Sequence, residues 1–256
     1  MTTYGVLGVG SIASAIVTGL CDGAADPPDV VLSPRNAERA AALAARLPSV
    51  RVATSNQAMV DASDVVVLCV LPDHATEVLS DLRFRAGQSV VSAMAGVHLA
   101  RLTELVAPAQ DVARSMPVRS VAHRQSVTPV HPVTQAATDL FSRLGGSMGV
   151  TDELAFESVA AASATVAAYF RYLGTIADWL CSQGIEQDDA RRYVADTFAA
   201  LTDELRSPSV DFATLVRTHI TPGGLNEQFA RDLEEAGTYD AVRLGLDALL
   251  ARTAPT

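Results

Sequence analysis

No lysine occurs anywhere in the 256 residues; all 19 basic side chains are arginine. Arginine stays protonated and offers no free amine. Lysine-imine chemistry, a phosphate-loop lysine and a lysine general acid are therefore excluded. Cysteine is scarce, with only Cys21, Cys69 and Cys181 along the chain. They are too far apart for a metal-type spacing and odd in number for a disulfide framework, so a reducing, cytoplasmic setting is expected and no metal site. No apolar run approaches the roughly 20 residues of a membrane helix. The first residues show no basic segment leading into a long apolar stretch, so no signal peptide is read. Basic tracts are missing too. The net charge is -10, nearly balanced through Val150 and acid-rich from Thr151 onward. Nucleic acid and anionic membranes are poor partners for such a chain. Its near-neutral first half is the better place for an anionic ligand.

What is present is 49% hydrophobic residues, enough for a sizeable core. Short apolar runs at Gly5 to Gly8, Val30 to Ser33, Val50 to Ala53, 64-DVVVLCVLP-72, 88-QSVVSAM-94 and 111-DVARSMP-117 read as strands. Helix-forming segments lie between them: Ser11 to Leu20, Arg35 to Leu47, Gln57 to Ala62, His74 to Asp81 and Leu99 to Val106. This alternation implies a parallel, doubly wound α/β domain over 1–150. Beyond 144-LGGSMGV-150 the strand pattern stops. Glu153 to Cys181, Asp188 to Arg206, Asp211 to Arg217, Leu225 to Ala236 and Tyr239 to Arg252 read as helices of an all-α domain over 151–256. The stretch 160-AAASATVAAYFRYL-173 is apolar nearly all round and demands burial. A second subunit is the preferred cover, which makes the C-terminal half a homodimerisation domain; packing under the first domain ranks lower.

The pattern 8-GVGSIA-13 follows a strand and opens a helix. Gly8 permits the tight turn, Gly10 lets a pyrophosphate approach the backbone, and Ala13 allows close helix–strand packing. The helix start then offers unpaired amides to phosphates. The second strand ends 31-VLSPRNAER-39, with no acid to receive a ribose 2′-hydroxyl. Ser33, Arg35 and Asn36 offer donors instead, and Arg35 a positive charge for a 2′-phosphate. The sequence therefore favours NADP(H) in a Rossmann-like domain. The plainer role for Ser33 and Asn36 is capping the next helix.

Taken with 54-TSNQAMVDASDVVVLCVLP-72, 92-SAMAGV-97, 114-RSMP-117 and 221-TPGG-224, these segments resemble the pyrroline-5-carboxylate reductase family along nearly the whole chain. The resemblance implies an NAD(P)H-dependent imine reductase, its helical C-terminal half forming a homodimer that can assemble further. It implies pyrophosphate contacts from Gly8, Gly10, Ser11 and Ile12, and adenosine-end contacts from Ser33, Arg35 and Asn36. Asn56 and the backbone of Val70, Leu71 and Pro72 would also meet the cofactor, with Ala93, Ala95 and Gly96 beside the nicotinamide. Thr221, Gly223, Gly224, Leu225 and Asn226 would hold the substrate carboxylate. Physics supports that last role separately, because Pro-Gly-Gly at a helix start leaves amides that no side chain blocks. Gly224, Leu225 and Asn226 are the expected amide donors.

The chain departs from the family where substrate would sit. Leu225 and Asn226 replace two threonines, and 162-ASATVAAY-169 keeps only Ser163 and Tyr169 of a Gly-Ser-Gly-Pro-Ala-Tyr segment. Val118 replaces an asparagine and Leu71 a lysine. Asn226 and Ser163 are candidates to bond the imine nitrogen, and Tyr169 is a candidate proton donor or, more simply, a packed aromatic. His219, near the turn, is a candidate pocket acid, while His123 and His131 are expected at the surface. Three functions follow: reduction of pyrroline-5-carboxylate, reduction of another imine or carbonyl, or a non-catalytic NADP(H)-binding dimer. Related hydroxyacid dehydrogenases share the opening motif but need a catalytic lysine.

Overall fold

The computed structural model describes residues 2–207 and 210–253. Eight strands make one sheet: β1 (Tyr4–Leu7), β2 (Val30–Leu32), β3 (Val50–Val52), β4 (Val65–Leu68), β5 (Ser89–Ser92), β6 (Asp111–Ser115), β7 (Thr128–His131) and β8 (Ser147–Gly149). Their order is β3-β2-β1-β4-β5-β6-β7-β8. The first six run parallel; β7 is antiparallel to β6, and β8 is parallel to β7. Strand order reverses between β1 and β4, so a crevice opens beyond their carboxyl ends.

Alternating strand residues build two cores, one on each face. Val6, Val30, Leu32, Val65, Val67, Val91 and Ala113 pack with helices α1 (Ser11–Cys21), α2 (Ala37–Arg46) and α6 (Gln135–Ser142). Leu7, Val31, Val66, Leu68, Val90 and Val112 pack with α3 (Asn56–Asp61), α4 (Ala75–Ser80) and α5 (Leu99–Leu105). A strand buried on both faces has no solvent side to keep polar, which is why 65-VVVL-68 is apolar throughout. Each such side chain contributes roughly 1.5–3 kcal/mol of burial.

The sheet extends past the sequence expectation. The segment 117–132 reads as a surface loop, yet it contains β7, and α6 and β8 follow. Pro129 argues against a strand because it has no amide to donate. Here β7 pairs with β6 through only two registered positions, and the Pro129 carbonyl still accepts from the Met116 amide at 3.1 Å. His131 is consequently buried rather than at the surface, with Nδ1 donating to the Val150 carbonyl at 2.9 Å. His123 is exposed, as expected, on a short 3-10 helix (Arg119–His123).

The helical part differs in two breaks. The expected single helix from Glu153 divides into α7 (Glu153–Ser163) and α8 (Val166–Ser182). At the break, Ala164 and Thr165 donate to carbonyls three residues back, and the Thr165 hydroxyl adds a bond to the Ala162 carbonyl at 2.7 Å. That side-chain bond competes with the helical ladder. The second expected helix divides into α9 (Gln187–Ala199) and α10 (Thr202–Leu205). α11 (Phe212–His219), α12 (Leu225–Glu235) and α13 (Thr238–Thr253) complete the chain. The chain divides into two compact units after Ala160, not after Val150. The first half of α7 belongs with the sheet because Phe156 and Glu157 are buried in that unit. α8 has no buried residue, so the apolar stretch that demanded cover remains bare on the single chain. Among the described residues, no helix is long and apolar enough to cross a membrane.

Candidate functional site

β1 ends at Leu7, the chain turns at Gly8 with φ +88, and α1 starts at Ser11. A Cβ on Gly8 would stand 2.9 Å from the Cys69 carbonyl oxygen, so a side chain is excluded on both space and torsion. A Cβ on Gly10 would meet nothing within 4 Å, leaving open space over the loop. Gly10 caps α1 without a side chain, and the first turn holds no acid. The first helical amide to pair is that of Ser14, with the Gly10 carbonyl at 3.0 Å. The amides of Ser11, Ile12 and Ala13 are thus left for an anion at the positive end of the helix. This cradle fits a pyrophosphate.

Ser33 and Asn36 bond the phosphate loop itself. Ser33 is fully buried, and its Oγ accepts from the Gly8 amide at 2.9 Å. The Asn36 Nδ2 donates to the Val9 carbonyl at 3.0 Å. Asn36 holds the cap position of α2 with a left-handed backbone, but neither side chain caps that helix. Both brace the phosphate loop from below. Arg35 remains exposed and pairs with no acid among the described residues, so its charge is available beyond the end of β2.

The second half of the crevice lies past β4 and β5. Val70 is half-buried, Leu71 and Pro72 are exposed, and Pro72 opens a 3-10 turn (Pro72–His74). Asn56 stands in the first turn of α3, which Ser55 caps through the Ala58 amide at 3.0 Å. Ala93 is half-buried, while Ala95 and Gly96 are exposed and Gly96 has φ +75. Burial pushes the Cys69 thiol up to about 12, so it stays protonated and supplies no nucleophile here.

Behind this loop is a charge cluster that the sequence reading passed over. Arg114, on β6, is 2% exposed. Its NH1 reaches Glu153 Oε1 at 2.7 Å and its NH2 reaches Glu157 Oε1 at 2.6 Å. Its guanidinium lies 4.8 Å from the centre of the Phe156 ring. His98 Nδ1 is 3.6 Å from Glu153 and 3.7 Å from Glu157. Partial burial works to raise the Glu153 pKa, but the Leu99 amide and the Arg114 guanidinium outweigh it and hold the carboxyl below its ordinary range. His98, Glu153 and Glu157 offer ligand atoms within 4.8 Å of one another. The guanidinium already bridges the two carboxylates, so the cluster carries its own cation. An arginine inside an apolar strand and glutamates four apart at a helix start were the available signals.

The second unit carries the TPGG turn. Gly223 has φ +74 and Gly224 caps α12 without a side chain. Two of the expected features change. The Gly224 amide already donates to the Thr221 carbonyl at 2.8 Å, and the Gly223 amide to Glu227 Oε2 at 2.6 Å. Gly224 is thus not a spare donor; the amides of Leu225 and Asn226, with that of Glu227, hold the unpaired positions. Asn226 Nδ2 donates to the His219 carbonyl at 2.8 Å, which leaves its Oδ1 as the acceptor end of the side chain. His219 itself faces Glu204 at 2.9 Å. Ser163 ends α7, and Tyr169 lies on α8 with its ring 5.8 Å from that of Phe170.

Residues 3–96 match the family model for NADP oxidoreductase, coenzyme F420-dependent, and residues 153–255 that for pyrroline-5-carboxylate reductase dimerisation. The chain is 28% identical over 254 residues to a pyrroline-5-carboxylate reductase of Corynebacterium melassecola, covering 94% of this chain and 93% of that protein. It is 27% identical over 258 residues to one of Pseudomonas aeruginosa, covering 97% and 94%. Among solved structures, a 1-pyrroline-5-carboxylate reductase of Streptococcus pyogenes matches with TM-score 0.81 at 26% identity over 98% of both chains. Residues 153–255 thus match a pyrroline-5-carboxylate reductase domain, and the chain is similar to reductases of that name over nearly its whole length. A Plasmodium falciparum pyrroline carboxylate reductase with NADP bound shares the fold, with TM-score 0.79 at 17% identity over 98% of this chain and 97% of that one. The loop residues Gly8 to Ile12 and the strand-end residues 70–72 and 93–96 follow the carboxyl ends of β1, β4 and β5, neighbouring strands of the first unit's sheet. Thr221 to Asn226 form one turn of the second unit.

Proposed function

We propose that this chain is an NADPH-dependent reductase of a cyclic imine that bears a carboxylate, with pyrroline-5-carboxylate as the first candidate. The observation that carries the reading is the bare start of α1, with its open glycine and unpaired amides, standing beside the free charge of Arg35. Gly8, Gly10, Ser11 and Ile12 bind the pyrophosphate, and Arg35 takes the 2′-phosphate. Ser33 and Asn36 keep the loop in shape, while Asn56 and 70–72 border the cofactor. Bound NADPH supplies the hydride. The amides of Leu225 and Asn226 hold the substrate carboxylate, with Thr221, Gly223 and Gly224 forming the turn that presents them. Asn226 Oδ1 accepts from a protonated imine nitrogen, a role an acceptor fills and an acid need not. Alignment of the two reactants then carries much of the rate. Ser163 is a second partner for that nitrogen. Tyr169 serves by packing. The C-terminal helices pair two copies of the chain.

A second reading has its own observation. Glu227 places a carboxylate on the very turn that would receive the substrate's carboxylate, and Leu225 adds an apolar side chain 85% exposed. Those features suit an uncharged imine or carbonyl. NADPH oxidation decides between them on a panel of pyrroline-5-carboxylate, pyrroline-2-carboxylate, piperideine carboxylates and simple cyclic imines. Turnover confined to carboxylated imines supports the first reading. Faster turnover of the uncharged compounds supports the second. Tight NADPH binding with no turnover of any compound leaves a non-catalytic dimer.

A further inference from the structure

We infer that the buried cluster of Arg114, Glu153, Glu157 and His98 is a positioning device that sets the strand-end loop 93–97 against the nicotinamide half of the cofactor. This rests on the cofactor reading above. In a doubly wound sheet the first three strands take one mononucleotide half and the next three the other. The loop 93–97 leaves β5, the middle strand of the second half. Its middle is bare backbone: Ala95 and Gly96 are exposed, and a Cβ on Gly96 would meet nothing within 4 Å. Its two ends are held by side chains from elsewhere. At the start, the Ser115 hydroxyl donates to the Ser92 carbonyl at 2.9 Å, and the Met94 amide donates to Ser92 Oγ at 3.2 Å. At the finish, the Leu99 amide donates to Glu153 Oε1 at 2.9 Å.

The finish is unusual in its chemistry. His98 occupies the cap position of α5, yet its side chain makes no cap bond. It turns instead toward Glu153 and Glu157. The missing cap comes from Glu153 on α7, far along the chain. The same Glu153 oxygen receives Arg114, which sits opposite Ser92 in the β5–β6 register. One carboxylate therefore ties the end of the loop to the strand next to its beginning. Glu157 fixes the other arm of the guanidinium, and Phe156 closes over its face.

Stability alone does not account for this arrangement. A buried ion pair is often matched or surpassed by apolar side chains of similar volume. Here the arrangement also leaves Arg114 Nε and His98 Nδ1 without hydrogen-bond partners among the described residues. What the charges provide is direction: a planar guanidinium that donates one arm to each of two carboxylates holds both in few geometries. That fixes the Glu153 oxygen, and through it the point where the loop enters α5.

The test compares two ligands on the full chain, NADPH and 2′,5′-ADP, which shares the adenosine end and lacks the nicotinamide. Glu153→Ala is expected to weaken NADPH about tenfold while 2′,5′-ADP stays within about twofold. Glu153→Gln keeps an oxygen for the Leu99 amide and is expected to restore NADPH to within about threefold of the parent. If Glu153→Ala does not fold, Arg114→Met combined with Glu157→Met fills the site without buried charge and should show the same selective loss. Equal losses for both ligands, or no loss for either in the folded variants, overturn the inference while leaving the cofactor reading intact. A parent chain that binds neither ligand removes both.

Discussion

At the scale of single residues, the proposed preference for NADPH turns on Arg35. It stands exposed past β2 and pairs with no acid among the described residues. A charge-assisted bond to a phosphate contributes about 1.5–3 kcal/mol. Arg35→Ala should therefore weaken NADPH roughly tenfold to a hundredfold, and NADH by no more than about twofold. Titrating both nucleotides into parent and variant measures it; equal losses would remove the 2′-phosphate role. Arg35, Gly8 and Gly10 stand out in the sequence because each brings a property of its own, a charge or a missing side chain. Ser33 and Asn36 do not cap α2 with their side chains, and their bonds within the loop were hidden for the opposite reason. Their work depends on which backbone group comes within reach, the Gly8 amide and the Val9 carbonyl, and a hydroxyl or amide in sequence does not say.

Glu153 adds a prediction at the same scale. Its carboxyl is held below the ordinary range in the folded chain by Leu99 and Arg114, against the opposing effect of partial burial. A depressed folded pKa gives stability that is fully present above the unfolded value of about 4.3 and is lost as pH falls through the folded value. The parent should melt higher than Glu153→Gln at pH 7. The gap should close as pH drops below about 4. Thermal melts across that range read the gap directly, and a gap independent of pH would show that Glu153 is not charged in the fold.

Among elements, the legible ones followed a simple rule of period or run. Both-face burial gave apolar strands such as Val65–Leu68, and the amphipathic α2 and α6 differ only in that α6 follows a strand that proline disguised. β7 was not legible because Pro129 is tolerated only by its particular place on the ladder. The break between α7 and α8 was hidden because Ala164 and Thr165 sit in an alanine-rich stretch whose propensity is otherwise helical. α12 is where an element-level change isolates function. Leu225 is its first helical residue, with an extended Gly224 before it. Proline is accepted at that position, and an extended residue ahead of it is what proline requires. Leu225→Pro should therefore leave the helix and the melting temperature nearly unchanged while deleting one amide. The expected outcome is a rise in KM for pyrroline-5-carboxylate of about fivefold to tenfold, from one lost hydrogen bond to a charged group. KM for an uncharged cyclic imine should not move. A matching rise for both substrates would mean the amide is not the carboxylate's anchor.

For the whole molecule, the question is what covers the second unit. Val166, Tyr169 and Phe170 are 52%, 46% and 65% exposed at helical spacing on α8, and Trp179 is 60% exposed further along. Such a surface is too apolar to stand in water as a monomer's ordinary face. The match of 153–255 to a pyrroline-5-carboxylate reductase dimerisation model points to assembly with further copies of this chain. Obligate interfaces of this kind bury about 2,000 Å² or more, so one charge placed centrally is severely disruptive. Phe170→Asp should convert a dimer to a monomer by light scattering at micromolar concentration. Because the phosphate loop and Arg35 lie in the first unit, which has its own two cores, the monomer should still bind 2′,5′-ADP within about threefold of the parent. Turnover should fall far more than binding if the paired helices complete the catalytic arrangement. A Phe170→Asp chain that stays dimeric would place the interface on another face of the helices, and one that loses 2′,5′-ADP along with its partner would mean that the first unit is not stable without the pair.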